Sequence, residues 1–292
     1  MKKIHLLPNL VTLANAFCGL LALSKAIDAL AYSAGDPRIF YFKMQSACML
    51  VFLGMVFDSL DGWVARLTGS QSAFGAQLDS FSDALTFGVV PAMLAKVLIE
   101  HQGHLSGLRG DPRVHFLAAA SFALLAILRL VRFNLESTDP KQHSAFFRGL
   151  PSPAAAGAVV STIWLYLLLR RPELEADEGT TTPFGRMVRG MDTVNWSPIL
   201  DWVPPLLLVM LPALGLLMVS RVRYVHAVEF ITRERRSFFV LVGVIFGLMF
   251  LYLAPVPALF LIFNGFALHG VVRILWTRRR RALPARGPDA GP

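Results

Sequence analysis

Charged residues are scarce in this chain: only 16% of its 292 residues are Asp, Glu, Lys or Arg. Soluble domains average about 25% charged residues, so the composition excludes an ordinary soluble domain. Hydrophobic residues make up 55% of the sequence and are gathered in long runs. The sequence therefore predicts an all-α integral membrane protein, a polytopic bundle of membrane-spanning helices.

Cysteine is also scarce. The two cysteines, Cys18 and Cys48, both lie inside apolar runs. This pattern is typical of small buried side chains and excludes a disulfide framework or a cysteine metal site. Helix-turn-helix, zinc-finger and RNP patterns are absent from the sequence, so the net charge of +9 does not indicate binding of nucleic acid.

About eight apolar segments approach the ~20 residues that a helix needs to cross a bilayer. They cover residues 10–32, 43–65, 77–99, 114–134, 153–170, 202–220, 237–253 and 256–275. Segments this numerous account for most of the chain. We therefore expect one transmembrane domain over residues 1–277, followed by a basic tail over 278–292 that is disordered.

The positive charges predict how these segments are oriented. Cations precede the first span and follow the second, fourth, sixth and last spans, at Lys2, Lys3, Arg66, Arg132, Lys141, Arg148, Arg221, Arg223, Arg233, Arg235, Arg236 and Arg278 to Arg281. With an even number of spans, all these positions lie on one side of the membrane. The positive-inside rule makes that side cytoplasmic, so we expect both termini and the tail in the cytoplasm.

Four aspartates mark the boundary between the second and third spans. Asp58 and Asp61 close one apolar run, and Asp79 and Asp83 open the next. Spacings of three and four residues put both members of a pair on one face of a helix. Carboxylates at the end of a membrane span are costly to desolvate and need partners. Arg66 alone cannot balance four negative charges, whereas two Mg²⁺ or Mn²⁺ ions, which prefer oxygen ligands, would do so.

Either aspartate pair alone would be typical of a solvated or capped helix end. Small residues beside both pairs distinguish this stretch, because they let a ligand approach the backbone closely. The stretch is similar to the full signature of the CDP-alcohol phosphotransferase family, and reads Asp58-x-x-Asp61-Gly62-x-x-Ala65-Arg66, then eight residues, then Gly75-x-x-x-Asp79-x-x-x-Asp83. Members of that family are integral membrane enzymes. They transfer a phosphatidyl or similar group from a CDP-linked donor to an alcohol and release CMP.

The resemblance implies roles for individual residues. Asp58, Asp61, Asp79 and Asp83 would hold two divalent ions, Mg²⁺ or Mn²⁺, and Asp83 would also take the proton from the attacking hydroxyl. The CDP donor would be bound by Asn9, Thr12, Gly62, Ala65, Arg66 and Gly75. Homodimers are usual in the family. The distribution of cations predicts that the aspartates, and with them the active site, lie at the cytoplasmic face. The size of the chain and its lack of targeting segments fit a multi-pass protein of the inner cell membrane.

Three further stretches resemble the phosphatidylserine synthase branch of that family. They are Pro8 to Gly19 (PN-x-x-T-x-x-N-x-x-x-G), Arg129 to Asn134 (RLVRFN) and Phe147 to Ala156 (F-x-GLPSPAAA). The resemblance implies CDP-diacylglycerol and L-serine as substrates. A serine carboxylate favours an arginine, and the candidates, among which the sequence does not choose, are Arg129, Arg132 and Arg148.

Two alternatives follow from the same residues. The arginines could instead hold a phosphorylated acceptor, so inositol phosphate or glycerol phosphate remains open, as do choline and an archaeal-type lipid donor. A different class of protein, a metal-ion transporter, would also use paired aspartates. It would place acidic residues near the middle of its spans, whereas these lie at span ends on one side.

Overall fold

The computed structural model describes residues 6–32, 36–68, 72–106, 111–137, 149–170, 196–220 and 237–282. Every regular element in these ranges is helical, as the composition predicts. The α-helices are α1 (Leu6–Ala31), α2 (Pro37–Thr68), α3 (Ala73–Asp83), α4 (Val90–Ser106), α5 (Pro112–Ser137), α6 (Ser152–Arg170), α7 (Ser197–Leu200), α8 (Val203–Val219), α9 (Ser237–Leu253) and α10 (Pro255–Ala282). A π-helical turn, Ala84–Val89, joins α3 directly to α4.

Seven stretches of helix in the described ranges are long and apolar enough to cross a membrane. They are Pro8–Ala31, Pro37–Leu67, Ala73–Gly103, Pro112–Leu135, Ser152–Arg170, Ser197–Val219 and Pro255–Val272. A shorter apolar helical stretch, Val242–Leu253, lies within α9. These eight stretches correspond one for one to the predicted spans, so the prediction of a polytopic helical bundle is confirmed.

Helices α1 and α2 form an antiparallel pair. The Thr12 hydroxyl lies against the Asp61 carboxylate at one end of the pair, and Lys43 Nζ lies 2.8 Å from Asp28 Oδ2 towards the other end. The two helices are packed against each other, and the small residues Ala22 of α1 and Ala47 of α2 are fully buried in the bundle. The start of α1 and the end of α2 therefore share one end of the bundle, the end that carries the aspartates.

The interior of the bundle is apolar, and so is much of its outer surface. Cys18 and Cys48 are buried and free, as predicted for small hydrophobic side chains. Leu13, Phe17 and Leu20 of α1 are exposed large apolar residues, as are many on the other spans. An apolar outer surface of this extent suits lipid tails as its solvent.

Helix α10 ends later than the predicted domain boundary at residue 277. It continues to Ala282, so its last turn enters the segment 278–292 that the sequence predicts to be disordered. Residues 283–292 lie outside the described ranges.

Candidate active site

The four aspartates meet where α2 ends and α3 begins. Carboxylate oxygens of Asp58, Asp61 and Asp79 all lie within 4.8 Å of one another. Asp83, one helical turn beyond Asp79, lies within hydrogen-bonding reach of Asp58. The sequence brings the members of each pair together through helical spacing, and the packing of α2 and α3 against α1 brings the two pairs together.

This cluster of aspartates is suited to binding a divalent metal ion. Asp61 is only 6% exposed, and Asp61 Oδ2 and Asp79 Oδ1 are buried without a hydrogen-bond partner among the described residues. The ion pairs between described residues involve Asp28, Glu100 and Asp201 rather than these four aspartates. Buried unpaired carboxylate oxygens are costly, and hard cations such as Mg²⁺ and Mn²⁺ satisfy them well. Asp58, Asp61 and Asp79 are therefore the residues that would hold a metal ion.

The start of α3 is fixed by a local cap. Ser72 has an extended backbone, and its Oγ accepts a hydrogen bond from the Gly75 backbone N–H at 3.0 Å. A Cβ on Gly75 would lie 3.2 Å from both Ser72 Oγ and Asn9 Oδ1. Glycine at this position therefore allows α1 to approach the first turn of α3 closely.

A cavity of about 200 Å³ opens beside the carboxylates. Its lining residues are Pro8, Asn9, Thr12, Asp61, Gly62, Ala65, Ser72, Gly75, Ala76 and Asp79. A Cβ on Gly62 would meet no other atom within 4 Å, so Gly62 keeps this part of the wall open. Five of the six residues predicted to bind the donor line the cavity. The sixth, Arg66, is exposed near the end of α2 and is not part of the lining.

The structure separates the three candidate arginines. Arg129 on α5 donates a hydrogen bond from Nη1 to Ser152 Oγ at the start of α6, and it lies within electrostatic range of Asp83. Arg132, one turn further along α5, donates from Nη1 to the Val219 carbonyl at 3.3 Å, at the end of α8. Arg148 lies outside the described residues. Arg129 is therefore the described arginine for which an interaction with the aspartate cluster is seen, through Asp83.

Comparison with known proteins identifies the family. The sequence model of the CDP-alcohol phosphatidyltransferase family matches residues 5–188, which include all four aspartates and the whole cavity lining. The chain belongs to this family. It is therefore a membrane transferase of phospholipid biosynthesis, and the carboxylate cluster agrees with the family's use of divalent metal ions.

Three similar proteins are named as enzymes that use serine as the acceptor or make a serine lipid. The chain is 29% identical over 279 residues to the CDP-diacylglycerol–serine O-phosphatidyltransferase of Helicobacter pylori, covering 94% of each chain. It is 36% identical over 157 residues to the archaetidylserine synthase of Methanothermobacter thermautotrophicus, covering 53% of this chain and 56% of that protein. It is 32% identical over 160 residues to the CDP-diacylglycerol–serine O-phosphatidyltransferase of Bacillus subtilis, covering 55% and 76% respectively.

Three polar residues at this site were not among the predicted site residues. Ser72 and the helix it caps could have been found from the preference for serine before a first helical turn. Asn15, whose Nδ2 donates to Asp83 Oδ1 at 3.3 Å, belonged to a polar pattern on the first span without an assigned partner. Ser152 lay within the recognised GLPSP stretch, but only the packing of α5 against α6 connects it to Arg129.

Proposed function

We propose that the protein transfers the phosphatidyl group of CDP-diacylglycerol to the hydroxyl of L-serine, giving phosphatidylserine and CMP. The observation that carries this choice of acceptor is a half-buried arginine, Arg129, within electrostatic range of Asp83. Among the described residues Arg129 forms no ion pair, and its Nε is buried without a hydrogen-bond partner. A serine acceptor needs a cation for its carboxylate and a base for its hydroxyl, and this pair supplies both.

Each part of the site has a role in this reaction. Two divalent ions, when bound by the four aspartates, would neutralise the diphosphate and the departing CMP. Asn9, Thr12 and the small residues of the cavity wall hold the CDP portion of the donor. Asp83 takes the proton of the serine hydroxyl while the serine oxygen bonds to the phosphatidyl phosphorus and the bond from that phosphorus to CMP breaks. Arg129 holds the serine carboxylate, preferably through two parallel hydrogen bonds.

The placement in the cell forms part of the same proposal. The protein lies in the inner cell membrane, with both termini and the carboxylate site at the cytoplasmic face. The distribution of cations between the spans supports this orientation. At that face, CDP-linked donors, serine and divalent ions are all within reach. We also propose the homodimer that is usual in the family and one transmembrane domain over the predicted range 1–277.

An assay of CMP release tests the choice of acceptor. Purified protein would be supplied with CDP-diacylglycerol, Mg²⁺ or Mn²⁺, and one acceptor at a time: L-serine, ethanolamine, choline, inositol phosphate or glycerol phosphate. We expect CMP with L-serine alone. Ethanolamine is the matched control, because it keeps the ammonium and hydroxyl of serine but lacks the carboxylate. If CMP were released with a phosphorylated acceptor and not with serine, the proposal that serine is the acceptor would be wrong, and the family assignment would still hold.

Replacing Arg129 should weaken serine binding selectively. For Arg129→Gln we expect the KM for serine to rise roughly 10- to 100-fold, the scale of a lost hydrogen bond to a charged group. The KM for CDP-diacylglycerol should not change. Arg132→Gln is the matched control, because Arg132 lies on the same helix but bonds to the Val219 carbonyl. If the KM for serine rose in Arg132→Gln and not in Arg129→Gln, Arg132 rather than Arg129 would be the residue that binds the serine carboxylate.

A further inference from the structure

Three side-chain hydrogen bonds tie α1 to α3 and the π-helical turn. Ser82 Oγ donates to the Thr12 carbonyl at 3.1 Å, and Thr86 Oγ1 donates to the Asn15 carbonyl at 3.2 Å. Asn15 Nδ2 donates to Asp83 Oδ1 at 3.3 Å. The first two bonds end on backbone oxygens of α1. The third differs from the others because its acceptor is the carboxylate of Asp83, one of the four aspartates of the site.

Asn15 is held in one orientation. Its side chain is fully buried. The amide NH₂ faces Asp83, because Nδ2 donates to Asp83 Oδ1 at 3.3 Å, and the amide oxygen therefore faces away. That oxygen is buried without a partner among the described residues. It lies over Gly54, where a Cβ would come within 3.0 Å of Asn15 Oδ1 and 2.8 Å of Thr86 Cγ2.

These contacts indicate that the Asn15 side chain serves its hydrogen bond to Asp83 rather than helix packing. A buried amide oxygen without a partner costs free energy, so helix packing alone would favour an apolar side chain here. What the asparagine gains is its bond to a carboxylate, and hydrogen bonds to charged groups are the stronger kind. The residue therefore has a use that leucine of similar size would not have.

The backbone at Asp83 also needs an external support. Asp83 is the last residue of α3, and the π-helical turn begins at the next residue. Such turns are rare and occur mostly at functional sites, where they change the direction of neighbouring side chains. Asn15 contacts this irregular stretch twice, through its side chain at Asp83 and through its carbonyl at Thr86. The bond from Thr86 ends on the backbone of α1 and fastens the turn to that helix, whereas the bond from the Asn15 side chain holds the carboxylate itself.

We propose that Asn15 is the positioning residue of Asp83. This inference rests on the proposed function, in which Asp83 takes the proton of the acceptor hydroxyl. The Asn15 amide holds Oδ1 of Asp83, which turns the other carboxylate oxygen towards the acceptor. Asn15 does not line the cavity beside the carboxylates, so in this proposal it acts on the proton transfer only through Asp83.

Asn15→Leu tests this inference, because leucine is close in size to asparagine and cannot donate. We expect kcat for CMP release to fall roughly 10- to 100-fold, as is typical when the partner of a ligating carboxylate is removed. KM for serine and for CDP-diacylglycerol should not change. The rise in Tm caused by CMP with Mn²⁺ should be kept, which gives a reading independent of turnover. Asn15→Ser, which is polar but too short to reach Asp83, is the second variant and should give the same result.

Two matched controls separate positioning from simple helix packing. Thr86→Val and Ser82→Ala each remove one of the other hydrogen bonds in the same helix contact without touching a carboxylate. Both should lower Tm and leave kcat unchanged. If they lower kcat as far as Asn15→Leu does, or if Asn15→Leu and Asn15→Ser keep wild-type kcat, the inference is overturned. A wild-type protein that releases no CMP with any acceptor would overturn the proposed function as well, so the two failures are distinguishable.

Discussion

Asp83→Asn is expected to lose nearly all turnover, with kcat lower by about 10²- to 10⁴-fold, while the CDP donor still binds. Asparagine has the shape of aspartate, and its amide oxygen can still accept the hydrogen bond from Asn15. It cannot accept a proton from the attacking hydroxyl. A serine hydroxyl is a poor nucleophile at neutral pH, and loss of a positioned base typically lowers the rate by about 10²- to 10⁴-fold. We therefore expect kcat to fall by that amount.

Two measurements on the same preparation check the role of Asp83. The first is the rate of CMP release with serine, and the second is the rise in Tm when a CDP-linked donor and Mn²⁺ are added. Asp201→Asn is a suitable control, since Asp201 pairs with Arg170 at 3.0 Å, away from the cluster. If folded Asp83→Asn no longer bound the donor, Asp83 would serve as an indispensable ligand and the base would have to be sought elsewhere.

Much of this protein could be predicted from local sequence patterns. Long apolar runs predicted the spans because each must cross the same thickness of bilayer. Helical spacing predicted that Asp58 would face the same way as Asp61, and Asp79 the same way as Asp83. That these two pairs would share one site followed from their charge, which needed a common partner. Each of these inferences uses residues within a few turns of one another.

The features that escaped prediction depend on contacts between distant segments. Asn15 meets Asp83 only because α1 packs against α3, and neither residue has a local signal for the other. Arg129 and Arg132 are one turn apart on one helix, so the sequence could not choose between them. The start of α6 engages the first and the end of α8 engages the second. The π-helical turn after Asp83 was also invisible, because its sequence continues an ordinary apolar run.

Removal of Asp58 is expected to eliminate activity and metal dependence together. The Asp58 carboxylate lies within 4.8 Å of those of Asp61 and Asp79 and within hydrogen-bonding reach of Asp83. Asp58→Ala removes a carboxylate that lies close to the other three. The three that remain are too few to hold two ions, so turnover should be lost at any concentration of Mg²⁺ or Mn²⁺.

Thermal unfolding separates this loss from a loss of folding. A ligand that binds only the folded protein raises its Tm, so wild-type protein should become more stable as Mn²⁺ is added, whereas Asp58→Ala should not respond. Without metal, the variant should be at least as stable as wild type, because it has one fewer like charge in a partly buried cluster. Asp28→Ala is the matched control: it removes a half-exposed helical aspartate that pairs with Lys43, and its Mn²⁺ response should be kept. A normal Mn²⁺ response in inactive Asp58→Ala would place the metal away from this cluster. If Asp58→Ala is more stable than wild type but no longer binds Mn²⁺, the repulsion among the four aspartates destabilises the protein and is retained because the same carboxylates bind the metal.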